Sequence, residues 1–199
     1  MAASKTDLRD VCSLLGGLAL HGAQVDLLRA IQRENAATRL ATSFGGEMAQ
    51  ALTRMQEALA EEGHAPVAKE YTRLMVANGE GGARSALPVP PWEDCYAGGE
   101  RKVLGERSRA ALNAYAAAKL GFDGMTEQPA DHIGLELCFV AALLDEEERG
   151  ERDATARTAF VDEHLKNFSP SLGRTLADAA HESFWRETGR AIALLPSVF

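Results

Sequence analysis

The chain has 199 residues, a mass of 21.3 kDa and a formal net charge of −8. A chain of this length suits one domain, and its 46% hydrophobic and 25% charged residues exclude a disordered or fibrous protein. An acidic surface repels phosphate backbones, which argues against nucleic acid as a partner. Alanine and leucine are frequent while the β-branched valine and isoleucine are scarce, which favours helix over strand. We predict an all-α fold: one domain over residues 1–199, a bundle of about eight or nine helices.

Cys12, Cys95 and Cys138 are odd in number and widely spaced. They contain no Cys-x-x-Cys pair, so the pattern argues against a disulfide framework and fits a reducing compartment. The N-terminal segment is polar, and the Leu14–Leu20 run is too short to span a membrane. We therefore expect no signal peptide, no membrane anchor and a cytoplasmic location.

Apolar residues recur every three or four positions through the first 75 residues, as on the buried face of a helix. Ser4 and Asp7 form a capping-box pattern ahead of the first helix. The stripe that runs through Gly45 and Gly46 is predicted as one helix. Pro66 is predicted to lie in the first turn of the helix that follows. The stripes are Leu8, Val11, Leu15 and Leu18; Val25, Leu28 and Ile31; Leu40, Phe44, Met48, Leu52, Met55 and Leu59; and Val67, Tyr71, Leu74 and Met75.

The pattern breaks at about residues 78–91, where three glycines precede three prolines. Glycine adds backbone freedom and proline removes it, so we predict a flexible Gly/Pro loop here. Helix is expected to resume around Glu100, to carry Val103 and Leu104, and to end at Gly121.

The C-terminal third is predicted to hold three helices. Pro129 is expected to begin a helix whose run Ile133–Leu144 is apolar on nearly every side, which places it at the centre of the bundle. The next helix is predicted to stop at Pro170 because proline breaks helices. A last helix is predicted to run without interruption from Leu172 to Leu195.

The sequence contains no recognisable catalytic or metal-binding signature. A di-metal carboxylate bundle needs two Glu-x-x-His pairs, and only Glu61 and His64 match. His132 and Glu136 share a helix face, which we interpret as packing. The glycine runs lack the Gly-Lys-Ser/Thr of a phosphate loop. We expect no enzyme activity, no cofactor and no stoichiometric metal.

Two segments remain unusual. In Pro90–Tyr96, rigid prolines present Trp92 and Tyr96 after the flexible loop, which suits a binding anchor, although Trp92 could equally fill the core. Asp131 and His132 lie at the start of the most apolar helix. Asp131 there complements the positive end of the helix dipole, and His132 could be a hydrogen-bonded core histidine.

Four motifs occur in order along the chain: Glu70–Met75, Pro90–Tyr96, Glu127–His132 and Glu163–Leu165. Together they resemble the TorD/DmsD/NarJ family of redox-enzyme maturation chaperones, in its TorD/DmsD-like branch. The resemblance implies an all-helical cytoplasmic chaperone. Such a protein binds the twin-arginine signal peptide of a molybdopterin-dependent oxidoreductase and assists its cofactor insertion and maturation before export.

The resemblance also implies where the signal peptide binds. In relatives the Tyr-x-x-Leu segment, the Pro-Pro-aromatic segment and the Asp-His pair contribute to the binding surface. Met75 stands where an aromatic is usual, and Asp94-Cys95 replaces a common Ser-Val. The implied signal-peptide-binding residues are Tyr71, Leu74, Met75, Pro91, Trp92, Tyr96, Asp131 and His132.

The implied partners are the twin-arginine leader and the apo form of the oxidoreductase catalytic subunit; a homodimer stays open. Acidic groups including Asp131, with Glu127 or Glu136, are expected to guide the leader's arginines. One alternative is a NarJ-like assembly chaperone for a reductase subunit that is not exported. Another, from a different class, is a metal- or nucleotide-dependent helical enzyme.

Overall fold

A computed structural model describes residues 3–76, 86–98, 101–121 and 128–199. These ranges form helices and no named strand, which confirms the all-α prediction. The helical segments Thr155–Phe160 and Lys166–Ala179 are joined end to end by a π-helical turn, so the described residues form nine continuous helices. The bounds are α1 Lys5–His21, α2 Val25–Glu34, α3 Ala36–Ala41, α4 Gly46–Glu62, α5 His64–Met75, α6 Glu106–Ala118, α7 Ile133–Glu148, α8 Thr155–Phe160, the π-helical turn Val161–Leu165, α9 Lys166–Ala179 and α10 Ser183–Leu194.

The helices pack around one large apolar cluster to which every α-helix contributes. Helix α1 packs along α7, and α10 packs against both α4 and α9. The central position predicted for α7 is confirmed, because nearly all of its residues from Ile133 to Leu144 are buried. Among the described helices, none combines the length and apolar character that crossing a membrane requires.

The N-terminus of α1 carries the predicted capping box. The backbone N–H of Asp7 donates to Ser4 Oγ at 3.1 Å, and the N–H of Ser4 donates to Asp7 Oδ2 at 3.0 Å. These bonds satisfy two N–H groups that a helix start leaves without partners. The stripe Leu8, Val11, Leu15 and Leu18 lies inside the core, as its spacing predicts.

One helix predicted in the first half of the chain is wrong. The stripe through Gly45 and Gly46 does not form one helix, because α3 ends at Ala41 and α4 begins at Gly46. Gly46 has a φ of 57°, a left-handed conformation that glycine adopts without strain. The stripe survives the break because both helices face the same core.

The predicted boundaries around the Gly/Pro loop also need correction. Residues 77–85 lie outside the described residues, so only the end of the loop can be compared. Helix α6 begins at Glu106 rather than near Glu100, and Leu104 has a φ of 66° that no helix accepts. Helix α7 begins at Ile133 and not at Pro129, because Asp131 and His132 pair with the segment around Trp92.

Pro170 does not stop its helix, and the last predicted helix is two. Helix α9 runs through Pro170 to Ala179, because Phe168 and Leu172 are buried on either side and offset the roughly 3 kcal/mol that an interior proline costs. The chain then turns at Ala180, which is extended at φ −73° and ψ 129°, before α10 begins at Ser183. Helices α9 and α10 cross closely at Gly173 and Gly189, where a Cβ at Gly173 would meet Gly189 O at 2.4 Å.

Candidate functional site

The Pro-rich segment and the Asp-His pair, which lie some 40 residues apart in the chain, are joined by backbone hydrogen bonds. Trp92 and His132 form an isolated antiparallel bridge. Glu93 N donates to Asp131 O at 3.0 Å, and Ile133 N donates to Pro91 O at 2.8 Å. The rings of Trp92 and His132 meet edge to face, with centroids 6.1 Å apart. Two of the four motifs therefore form one unit at the start of α7.

The Tyr-x-x-Leu motif on α5 adjoins this unit. Val89 N donates to Leu74 O at 3.0 Å, which ties the end of α5 to the segment before Pro91. The Tyr71 hydroxyl donates to Ala19 O at 2.9 Å, and its ring lies 5.5 Å from that of Trp185. Burial raises the pKa of Tyr71 to about 12, so the hydroxyl stays protonated and keeps this bond.

The predicted site residues are, with one exception, buried. Trp92 and His132 are each 3% exposed, and Asp131 is fully buried. Tyr96 is only partly buried, and its ring lies 6.1 Å from that of Phe168. Trp92 packs in a small separate cluster with Leu87 and Cys95, as its core alternative predicts. The remaining site residues Tyr71, Leu74, Met75 and Pro91 are buried as well.

His132 acts as the N-cap of α7. Its Nδ1 accepts a hydrogen bond from Gly134 N at 3.0 Å. Burial, and secondarily the nearby His21, lowers the pKa of His132 to about 3. The ring is therefore neutral at physiological pH, and the core-histidine alternative describes it well.

Asp131 supports a second aspartate that caps another helix. Asp94 N donates to Asp131 Oδ2 at 2.9 Å. The Asp94 carboxylate in turn accepts backbone N–H groups at the start of α6, from Gly105 at 2.6 Å, Arg107 at 3.1 Å and Ser108 at 3.2 Å. Burial, followed by the nearby Asp94 charge, raises the pKa of Asp131 to about 6. The sequence did not predict Asp94 as the cap of α6, because a capping residue normally lies immediately before its helix.

Replacing Asp94 by alanine is expected to lower the free energy of unfolding by about 2–4 kcal/mol. The change removes one charged acceptor from three N–H groups at once. Asp94→Asn keeps an acceptor oxygen and should cost less. Ser4→Ala, at the exposed cap of α1, is the matched control at about 1 kcal/mol. Urea unfolding followed by circular dichroism measures all three, and a loss for Asp94→Ala no larger than for Ser4→Ala would contradict the bridging role.

Glu93, Glu136 and His164 form a buried polar cluster beside the bridge. His164 Nδ1 lies 2.6 Å from Glu93 Oε2 and 3.9 Å from Glu136 Oε1. Each side chain is at most 3% exposed. The cluster joins three distant elements. Glu93 and His164 lie in two of the four motifs, but no local spacing in the sequence connects the three residues. Because Glu136 and Asp131 are fully buried, neither expected guiding carboxylate faces solvent, and Glu127 lies outside the described residues.

Exposed apolar side chains lie near two ends of the joined unit. Among the described residues the large ones are Leu104 at 70%, Leu112 at 52% and Val76 at 37%. Val76 follows Met75 at the end of α5. Leu104 follows Lys102, whose carbonyl oxygen accepts the Cys95 thiol at 3.0 Å. Apolar surface is thus available at both flanks of the segment.

A groove of about 980 Å³ lies along α5. Lys69, Arg73 and His181 line it together with Glu70 and Glu182. Glu70 is paired with Arg73, whose NH2 lies 2.6 Å from Glu70 Oε1. Because the lining carries charges of both signs, it offers no net electrostatic attraction to a cationic leader.

The fold and the site define an all-α protein whose central helix begins in a backbone bridge to a Pro-rich segment. The family model described as "Nitrate reductase delta subunit" matches residues 22–173, which is most of the chain. The chain therefore belongs to this family, the NarJ/TorD-like redox-enzyme maturation chaperones, and the resemblance drawn from its motifs is confirmed. The family is one of chaperones, which confirms the prediction of a non-enzymatic protein and removes the helical-enzyme alternative.

A curated relative is "Probable Tat proofreading chaperone DmsD" from Haemophilus influenzae. It is 26% identical over 129 residues, which cover 65% of this chain and 56% of that protein. The match thus spans just over half the length of the relative.

Proposed function

We propose that the protein is a cytoplasmic chaperone for a molybdopterin-dependent oxidoreductase. It binds the twin-arginine signal peptide of the apo catalytic subunit, assists cofactor insertion and maturation, and releases the enzyme for export. The observation that carries the proposal is the family match, together with a relative whose name specifies Tat proofreading. The backbone bridge between the Pro-rich and Asp-His motifs supports it further.

We place leader binding where the Pro-rich segment meets α5 and α6. A twin-arginine leader offers two cations and an apolar, helix-prone stretch, which requires an apolar groove. Exposed Leu104 and Val76 flank the segment, and its Trp92 and Cys95 pack with Leu87 in a small apolar cluster. In our proposal the leader lies on this segment, with Trp92 and Tyr96 as the floor of the groove.

A second candidate is a NarJ-like chaperone that assembles a reductase subunit without export. The match to the nitrate reductase delta subunit family favours it. The two candidates differ in the client, because only an exported client carries a twin-arginine leader. Affinity purification from the native host, with the captured partner identified by mass spectrometry, separates them. Capture of an oxidoreductase with such a leader supports the first candidate, and capture of one without it supports the second.

Raising the salt concentration is expected to slow association with the leader more than it speeds dissociation. The chain carries a net charge of −8, and attraction to two arginines acts mainly on the encounter rate. At physiological salt this attraction is screened beyond about 8 Å. Surface plasmon resonance at several ionic strengths measures both rates. An association rate indifferent to salt would remove electrostatic steering.

A leader with both arginines replaced by lysine is the matched control. Lysine keeps the charge but lacks the planar fork that binds a carboxylate through two hydrogen bonds. The association rate should stay nearly constant while the dissociation rate rises. An unchanged dissociation rate would mean that no bidentate contact forms.

A further inference from the structure

Glu136 is a fully buried carboxyl group, and neither of its oxygens has a hydrogen-bond partner among the described residues. Buried polar groups are nearly always paired, because leaving one without a partner costs free energy. Burial, followed by the charges of Glu93 and Asp131, raises the pKa of Glu136 well above its ordinary value. The side chain nevertheless points at two other potential metal ligands.

We propose that Glu93, Glu136 and His164 bind one divalent transition-metal ion, with Zn²⁺ as the best fit. Their candidate ligand atoms all lie within 4.8 Å of one another. Zinc bonds of about 2.0–2.1 Å at tetrahedral angles place ligand atoms about 3.3 Å apart. The distances from His164 Nδ1, 2.6 Å to Glu93 and 3.9 Å to Glu136, bracket that value. Side-chain shifts below about 1 Å would therefore complete the coordination.

The ligand types select the ion. Metal binding would release the proton of Glu136 to solvent, because a carboxyl group ligates as the carboxylate. Two carboxylates and a neutral imidazole then carry a charge of −2, which a divalent cation balances. Imidazole suits zinc, iron and related ions, whereas Mg²⁺ and Ca²⁺ prefer oxygen ligands alone. The fourth zinc position would be taken by water or a further oxygen.

The backbone around His164 supports the assignment independently. His164 lies in the π-helical turn Val161–Leu165. Single π-turns occur frequently at functional sites. The imidazole is also held from one side, because the Phe160 ring stacks on it with centroids 4.5 Å apart at 21°. A fixed ring orientation lowers the entropic cost of ligation.

Arg107 is the positively charged neighbour that an incoming ion must replace. Its Nε lies 3.7 Å from Glu93 Oε1, and its side chain is 41% exposed. Rotation of Arg107 into solvent opens an approach from the surface and leaves Glu93 to the ion. Glu93 follows Trp92, and Glu136 lies one turn after His132, so the bound ion would brace the bridge whatever the client. The expectation of no metal, which rested on local Glu-x-x-His spacing, is revised by this long-range cluster.

The test is zinc titration of the full chain after removal of metals with a chelator. Calorimetry should show one equivalent of Zn²⁺ bound, and Mg²⁺ in excess should not compete. Free zinc at 100 times its Kd should raise the thermal unfolding midpoint by about 5–10 °C. Glu136→Gln, a neutral isostere, and His164→Gln should weaken binding at least about 100-fold, more than the loss of an outer-shell partner. His181→Gln, which alters a histidine whose side chain is 73% exposed, is the matched control and should bind normally.

Cobalt substitution of the unmodified protein keeps the test decisive if a variant fails to fold. Co²⁺ should give the visible absorption of a four-coordinate site, and X-ray absorption of the zinc form should show nitrogen and oxygen neighbours at about 2.0–2.1 Å. Sulfur neighbours would assign the ion to the cysteines and overturn the proposal. So would the absence of binding, binding unaffected by Glu136→Gln and His164→Gln, or binding lost in His181→Gln.

Discussion

Replacing Trp185 by alanine is expected to lower the free energy of unfolding by about 3–5 kcal/mol, a large part of a domain's total stability. Trp185 is fully buried in α10, and its Nε1 donates to Val67 O at 2.7 Å. Its ring packs against Tyr71 at 5.5 Å and Phe184 at 5.2 Å. Truncation leaves a cavity between α5 and α10 and a buried carbonyl without its donor. Guanidinium unfolding measures the change.

Leu112→Ala is the matched control for this loss. Leu112 also lies on a helix but is 52% exposed, so its truncation should change stability by no more than about 0.5 kcal/mol. Trp185→Phe, which keeps most of the apolar area and loses the hydrogen bond, should fall between the two. Equal losses for Trp185→Ala and Leu112→Ala would contradict the placement of Trp185 in the core.

Trp92→Ala is expected to weaken leader binding by about 2 kcal/mol, or roughly thirtyfold, and to lower stability as well. Trp92 is 3% exposed, so its loss removes the largest member of the small cluster that it forms with Leu87 and Cys95. That loss also removes the floor of the proposed groove. Leader affinity is measured by calorimetry at a temperature well below the unfolding midpoint of the variant, where essentially all of the protein is folded. The far-ultraviolet circular dichroism should stay helical.

Leu104→Ala separates the two effects of Trp92→Ala. Leu104 is 70% exposed, so the change should leave stability nearly constant and weaken leader binding if the groove opens at its flank. A folded Trp92→Ala protein with unchanged leader affinity would make Trp92 a purely structural residue. The signal-peptide proposal would then have to rest on the other predicted residues.

Helices were predictable from the sequence wherever a single stripe ran without a break. The stripes of α1, α2 and α5 have the local spacing that a helix alone requires, and their residues are buried, apart from the partly buried Val25. Helix boundaries were less accessible, because they depend on tertiary contacts. The stripe across Gly45 faces one core from two helices, and Pro170 is tolerated because the residues around it are buried.

The site was predictable only in part. The family resemblance implied that the segments of Trp92 and His132 contribute to one surface, and the backbone bridge joins them. Their burial did not follow, because a Pro-Pro-Trp segment suits a surface anchor and a core plug equally well. The cluster of Glu93, Glu136 and His164 could not be predicted from the sequence for another reason. Its members come from three elements, and no local spacing connects them.

The pairing of α1 with α7 has a consequence for synthesis of the protein on the ribosome. Contacts between residues this far apart in sequence form late, because closing long loops costs entropy before the contacts repay it. Helix α4 likewise packs on α10, so the apolar face of α4 has no partner until α10, near the end of the chain, has been synthesised. A nascent chain therefore exposes unpaired apolar surface until Ser183–Leu194 has left the exit tunnel, and during that interval this protein is itself open to aggregation.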